Sequence, residues 1–494
     1  MLYVSYPPTG LLLRKFDNTS QFSIFNSQFS TFIPADRLAF AEIRQYFSIF
    51  NFQFSITKTE FYMLKKLLIQ NGAVLYRKNL IAADVLIADG KIARVAPGLR
   101  PDRKTDVIDA RGLLVLPGFI DLHCHLRDPG QTHKEDVASG GRSAAAGGFT
   151  AVCCMPNTEP PIDCAPMVSY VRQKAERESP VKVYPIGAVT KGRGGAELAE
   201  LGLMREAGAV AASDDGSPVM NAGLMRAALE YAVSAGLFLI SHCEDTSLSG
   251  DGVANEGYNA SLAGLKGIPR AAEEVMVARD VLLAETLNTR VHIAHVSTKG
   301  GVQLLREAKR RGARVTAETC PHYFALTDDL ILEYDTDAKI NPPLREEADR
   351  QAVIRGLADG TIDAIATDHA PHNFDGKNVD FNAAAFGTVG FETAFAVAYT
   401  TLVKGGILTV AELSALMSAK PAAVLGFEGG GAIRLGLAAD LAVVDPEAVW
   451  TVEPDKLLSK SKNTVFKGRE LTGKVRYTVV DGKVVYGGEA KGAR

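Results

Sequence analysis

The chain has 494 residues, with 54 basic and 57 acidic side chains and a net charge of −3. That length allows more than one domain around a large core, and the near-neutral charge gives no support for binding nucleic acid or a membrane surface through bulk electrostatics. No run of roughly 18 or more uncharged apolar residues occurs, which argues against a membrane-spanning helix. The six cysteines (Cys124, Cys153, Cys154, Cys164, Cys243 and Cys320) lie mostly in apolar, strand-like stretches. They read as reduced, buried thiols of a cytoplasmic enzyme rather than as a disulfide framework.

Residues 1–62 stand apart in composition, holding 11 of the 22 phenylalanines but one of the 46 glycines. They contain a direct repeat, Phe22-Ser-Ile-Phe-Asn-Ser-Gln-Phe-Ser30 and Phe47-Ser-Ile-Phe-Asn-Phe-Gln-Phe-Ser55. Two isolated copies do not make a solenoid, and no basic segment leads into an apolar core as in a signal peptide. An anchoring arm is one reading. The favoured expectation is a non-native or disordered extension, with Met63 as the true start.

From 63 to 116 short strands alternate with Asn-Gly, Asp-Gly and Arg-Gly turns, as at 73–76, 84–87 and 92–95. From 117 to 430 short apolar strands alternate with helical stretches such as 165–177, 223–235 and 268–287. The strands are expected at 119–123, 150–154, 181–185, 209–213, 238–241, 291–295, 315–318 and 364–367. Eight strand–helix units in about 300 residues predict an α/β fold, a TIM barrel. From 431 to 494 the short-strand character returns, at 440–444, 475–480 and 484–486. The two β-rich ends are expected to pair as one small composite β-sandwich, which brings the chain termini together.

The chemistry-bearing residues fall at the C-terminal ends of these strands, the face where barrel sites lie. His123 and His125 end the first strand and, at i and i+2, project from one face. Arg127 continues that alternation, and its planar guanidinium suits a carboxylate. Asp214 and Asp215 end the fourth strand, His242 the fifth, His295 the sixth and Asp368 the eighth. Four imidazoles with two carboxylates suit a borderline-soft metal such as zinc. One acid more than a single ion requires points to two metals bridged by a carboxylate and a hydroxide. His292 should point away from His295, into the core or behind the ligands. His322 is a supporting or substrate-side group without an assigned role, His133 is structural, and His369 should face away from the rim.

From Met63 onward the chain resembles the dihydroorotases, a branch of the amidohydrolase superfamily, in their longer bacterial form. The residues that carry this are Asp121-Leu-His-Cys-His-Leu-Arg-Asp-Pro-Gly130, Met155-Pro-Asn-Thr158, Ser213-Asp-Asp-Gly216, Lys339-Ile-Asn-Pro-Pro-Leu-Arg345, Thr367-Asp-His-Ala-Pro-His372 and Phe386-Gly-Thr-Val-Gly-Phe-Glu392. The resemblance implies a deformed TIM barrel beside a small β-sandwich. It implies reversible, zinc-dependent cyclisation of N-carbamoyl-L-aspartate to (S)-dihydroorotate in pyrimidine synthesis. Carried over by position, it makes His123, His125, Asp215, His242, His295 and Asp368 the ligands of two Zn2+ ions bridged by Asp215 and hydroxide. Many amidohydrolases use a carboxylated lysine as the bridge, and this strand has none; Asp214 is the alternative to Asp215.

The resemblance also assigns His125, Arg127, Asn157 and His372 to the substrate's carboxylate end, Asn341 and the backbone of Phe386-Gly387 to its ring amides, and Asp368 to proton transfer as catalytic base and acid. Ala385 stands where the family has proline before Phe-Gly, a change expected to loosen the 373–387 loop. A homodimer or a complex with aspartate transcarbamoylase fits the family. The rival readings are a hydantoinase or allantoinase, or a non-catalytic scaffold; in such scaffolds ligand positions are lost, whereas here all six are filled.

Overall fold

The computed structural model describes residues 66–488 in full, and outside them the backbone of five short strands, Leu2–Val4, Leu11–Lys15, Gln21–Asn26, Phe29–Pro34 and Lys491–Gly492. Residues 1–63 and 64–494 are two compact units. In the first, the four short strands pair in an antiparallel meander. The second copy of the Phe-rich repeat and the expected start at Met63 lie outside the described residues, as does the structural basis for calling 1–62 an extension.

The second unit begins with β1 (Lys66–Tyr76), β2 (Asn79–Ala88), β3 (Lys91–Ala96), β4 (Thr105–Asp109) and β5 (Leu114–Pro117). Strand β1 carries an irregularity between Ile69 and Gly72. Before it, the strand pairs in parallel with β4; after it, with β5. One strand thus serves two sheet directions, as bulges do at sandwich corners. Gly72 is required there, since a Cβ would sit 2.7 Å from Val115 Cγ2. The C-terminal strands complete the layer. Leu441–Thr451 runs antiparallel to β5 on one side and to Glu470–Val480 on the other. Both ends of the unit therefore share one β domain, with a core of Leu67, Ile69, Val85, Leu441, Val443 and Val479.

Between these ends the barrel strands follow as β6 (Phe119–Cys124), β7 (Phe149–Cys154), β8 (Lys182–Pro185), β9 (Leu239–Ser241), β10 (Val291–Ile293), β11 (Val315–Thr319) and β12 (Ala364–Ile365). They form two parallel arcs, β6-β7-β8 and β9-β10-β11-β12. The stretch expected as the fourth strand, 209–213, joins the arcs. Val210 N donates to Pro185 O and Gly187 N to Ala211 O on one side; Ala212 N donates to Phe238 O and Ile240 N to Ala212 O on the other. At the other seam His125 N donates to His369 O at 2.9 Å. There the buried Asp121 carboxylate accepts from Thr367 N at 2.9 Å and Thr367 Oγ1 at 2.5 Å, a side-chain stitch between the first and eighth strands. The ring closes around Leu122, Cys153, Ile186, Ala211, Ile240, Ala294 and Ala364, the inward side chains that fill a TIM barrel.

Helices Ala165–Glu178 and Ala222–Ala235 lie where the periodicity put them. The third begins at Arg270 rather than 268, because Pro269 stands at its N-cap. Five of the six cysteines are buried, Cys164 is half-buried, and none is bonded to another. No helix among the described residues is long and apolar enough to cross a membrane.

Candidate active site

At the C-terminal rim, Asp215 is the centre of the constellation. Its Oδ1 lies 3.3 Å from His123 Nε2, 3.4 Å from His242 Nδ1 and 3.5 Å from His295 Nε2. Its Oδ2 lies 3.5 Å from His125 Nε2. Asp368 faces the same pair of histidines, 3.0 Å from His125 Nε2 and 3.6 Å from His123 Nε2. Asp214 is turned elsewhere. Its carboxylate accepts from the Val189 and Thr190 amides with one oxygen and from the Thr190 hydroxyl with the other, so both oxygens are engaged away from the rim.

The histidines are fastened from behind. The His123 Nδ1–Glu318 Oε1 contact is 2.9 Å, that of His125 Nδ1 with Asn157 Oδ1 is 2.8 Å, and that of His242 Nε2 with Glu244 Oε2 is 3.0 Å. A carboxylate or carbonyl oxygen only accepts, so each of these ring nitrogens carries the hydrogen. The opposite nitrogens then present lone pairs to the rim, the arrangement that orients metal-bound imidazoles. His123 Nε2 and Asp215 Oδ1 are buried and have no hydrogen-bond partner among the described residues. Two buried orphan acceptors facing one another are costly unless a cation lies between them. Two donor triads, His123/His125/Asp368 and His123/Asp215/His295, each have their ligand atoms within 4.8 Å of one another. The residues therefore fit divalent metal. Burial pushes the His123 pKa down, but Asp215 and Asp368 pull it well above 6.5. The two carboxylates thus call for positive charge at this point of the rim.

The backbone is bent to reach this geometry. Arg127, His295 and Asp368 have φ of 57°, 34° and 46°, a region in which non-glycine residues are uncommon.

The residues expected to hold substrate adjoin this donor set. Arg127 is buried and donates to Pro371 O and His372 Nε2, both at 3.3 Å. Burial pushes the His372 imidazole down to about 2, and Arg127 beside it adds to the effect. His372 is therefore a neutral partner and leaves Arg127 as the cation for an anionic group. Asn341 Nδ2 donates to Glu244 Oε2 at 2.8 Å, so one carboxylate orients both this amide and His242. Gly387 has φ of 136°, and a Cβ there would lie 2.7 Å from Ala370 Cβ and 3.3 Å from His372 Cδ2. Lys339 Nζ sits 4.6 Å over the Phe386 ring, and Gly387 N donates to Lys339 O.

Several supporting residues escaped the sequence reading. Glu318 accepts from His123 with one oxygen and lies 3.1 Å from His292 Nε2 with the other, while His292 Nδ1 meets Thr316 Oγ1 at 2.8 Å. His292 thus stands behind the ligands, as the strand alternation required. Asn463, from the segment between two sandwich strands, donates to Ala370 O and Gly387 O at 3.1 Å each and accepts from His372 N at 3.0 Å. Only the alternation that points Glu318 to the same side as Thr316 could have signalled the first. Nothing local marks Asn463. His369 turns away from the rim and stacks on Phe391, with ring centroids 4.0 Å apart. His322 is buried with its Nε2 unpartnered, near Cys320 and Asp368. The loosening expected from Ala385 is offset: Ala385 N donates to Gly376 O at 2.9 Å, a bond that proline cannot make.

Comparison with known proteins places this geometry. Residues 112–301 match the family model Dihydro-orotase-like, and residues 284–486 match the Amidohydrolase family. The chain is 54% identical over 403 residues to the dihydroorotase of Geotalea daltonii, covering 82% of this chain and 94% of that one. It is 53% identical over 422 residues to the dihydroorotase of Pelotomaculum thermopropionicum, covering 85% and 98%. Among solved structures it is similar to L-hydantoinase from Arthrobacter aurescens, with a TM-score of 0.77 and 25% identity over 87% of this chain and 96% of that one. D-hydantoinase from Thermus sp. follows, with a TM-score of 0.73 and 26% identity over 86% and 97%. These neighbours share the barrel-and-sandwich architecture. With its Asp215-centred rim, and with more than half of the aligned residues identical to those of the two dihydroorotases, the chain belongs to the dihydroorotase family of the amidohydrolases.

Proposed function

We propose that this chain catalyses the reversible ring closure of N-carbamoyl-L-aspartate to (S)-dihydroorotate, with two zinc ions held by His123, His125, His242, His295 and Asp368 and bridged by Asp215. The observation that carries this reading is the neighbourhood of Arg127. A buried guanidinium, paired with a neutral imidazole and no carboxylate, lies beside the donor triads, and the substrate named has a carboxylate to place there. Bound at this rim, divalent metal lowers the pKa of water and polarises a carbonyl oxygen.

The chain's own residues do the rest. Arg127 and His372 grip the substrate carboxylate and fix the ring relative to the donor set, which is an orientation effect. Asn157 both holds His125 and offers its amide N–H to the same carboxylate. Asn341 and the Phe386-Gly387 backbone meet the ring amides. Asp368 Oδ1 takes the proton of the attacking water and delivers it to the departing ring nitrogen; in ring closure it runs in reverse. Burial pushes the Asp368 carboxyl up, and His123 beside it pulls it down to about 2. It enters the cycle ionised, as a base must.

We also propose domain limits of 63–116 and 431–494 for the sandwich and 117–430 for the barrel. The pairing of β5 with Leu441–Thr451 supports them. The test is ultraviolet detection of dihydroorotate ring opening by metal-loaded protein, with hydantoin and allantoin as controls. Turnover of dihydroorotate alone is expected. Preference for hydantoin would favour the activity of the structural neighbours, and no turnover of any of the three would favour a scaffold.

A further inference from the structure

A cavity lies at the end of the barrel opposite the rim, where the strands begin. It has a volume of about 390 Å³. Its walls include Arg205, Arg290 and Arg314 together with Val210, Phe238 and Phe427. Arg290 immediately precedes β10 and Arg314 immediately precedes β11, while Phe238 leads into β9. No acidic side chain lines the cavity, and none of the three arginines makes an ion pair among the described residues. Burial pushes the Arg290 pKa down, and Arg314 adds to the effect.

Part of this positive charge answers the carbonyl ends of nearby helices and loops, which are electronegative. Arg205 donates to Ala209 O at 3.2 Å, Arg314 to Asn288 O at 3.4 Å and Arg290 to Val424 O. Each contact uses one of the five N–H groups that a guanidinium carries. Three full charges remain around one concavity, with donors left over for an oxygen-bearing anion. The rest of the wall is mostly apolar, with two flat rings, Phe238 and Phe427, and the side chain of Thr289. The Arg290 guanidinium lies 4.6 Å over the Phe238 ring, and the Phe427 ring packs 4.8 Å from that of Tyr184. The volume suits a small molecule rather than a lone ion.

We propose that this cavity binds an aromatic oxyanion, a molecule in which a phosphate or carboxylate is attached to a flat ring. The anion lies among the three guanidinium groups and the ring against Phe238 and Phe427. The site is separate from the metal rim, so it is occupied without displacing substrate.

The test is calorimetric titration of the full-length, metal-loaded chain with phenyl phosphate, benzoate and inorganic phosphate. It is run in an equilibrium mixture of dihydroorotate and N-carbamoyl-L-aspartate, so that the rim is filled. Binding of phenyl phosphate or benzoate with Kd below about 1 mM is expected, with inorganic phosphate at least about tenfold weaker. The arm that binds identifies the anion. In the Arg290→Gln/Arg314→Gln variant the affinity should fall at least about tenfold, with the ring-opening rate unchanged as the control for folding. If that variant fails to fold, the exposed Arg314→Gln alone should weaken binding at least about threefold. No binding of either aromatic anion, equal binding of inorganic phosphate, or binding unchanged in the variants would overturn the proposal.

Discussion

Glu318→Gln isolates one carboxylate that touches no substrate in the proposed pose. Glu318 is fully buried between His123 and His292. Burial pushes its pKa up, but the two imidazoles pull it down to about 2, so it is charged throughout the working range. Glutamine keeps the volume and still accepts from His123 Nδ1, but the bond becomes neutral. Hydrogen bonds to charged groups contribute about 1.5–3 kcal/mol and neutral ones about 1. The loss of about 0.5–2 kcal/mol corresponds to roughly 2–30-fold weaker metal binding, which reaches the lower part of the roughly 10–100-fold range typical of groups behind metal-bound histidines. Competition with a chromophoric chelator reads this directly. Ring-opening activity should recover at saturating metal, because the reacting groups are intact. Unchanged metal affinity in the folded variant would refute the idea that Glu318 tunes His123. Activity that stays lost at saturating metal would instead assign Glu318 a part in the reaction.

Further expectations concern the reaction and the substrate loop. Asp368→Ala should abolish turnover, by at least about 100-fold, while metal analysis still finds part of the normal content; near-normal kcat would remove Asp368 from proton transfer. Arg127→Ala should raise KM far more than it lowers kcat, and steady-state kinetics with both parameters unchanged would exclude the carboxylate grip. The His372 imidazole stays neutral when folded and takes up a proton below 6.5 when unfolded, so its burial costs stability as pH falls, by up to about 1.4 kcal/mol per unit. Melting temperatures should therefore show His372→Gln losing less stability than the parent between pH 7 and 5.5; an equal loss would contradict the assignment. Gly387→Ala, whose Cβ would press on Ala370 at φ of 136°, should raise KM by disturbing the loop, and unaltered kinetics would show the contact to be soft.

The barrel and the donor set were legible because their signals are local. His123 and His125 share a face by strand alternation, and each remaining residue of the set closes its own apolar run. The choice between Asp214 and Asp215 was not settled by the residues themselves, since adjacent carboxylates at a strand end look alike. The loop at Val189-Thr190 separates them by engaging both oxygens of Asp214, contacts across 24 and 25 positions. The same holds for Glu318 behind His123, 195 positions away. Such partners are chosen by ring closure, which no periodicity encodes. The fourth strand was placed correctly as a hydrogen-bonded stretch, although its ladder is staggered between Gly187 and Leu239 and forms single bridges at Ala212. The Ala385 substitution misled for a related reason. Losing proline removes rigidity, but the N–H it restores finds Gly376 O nearby.

Asn463 has a consequence for biosynthesis. The loops bearing His372 and Gly387 are fastened by a side chain that emerges from the ribosome about 75 to 90 residues after them. The strands that carry the donor set can therefore close before the loops beside Arg127 have their final shape. A nascent chain released before residue 463 would present a donor set without a correctly held anion grip. Metal capture and substrate selectivity would then be acquired at different moments of synthesis, with the last word belonging to the sandwich rather than the barrel.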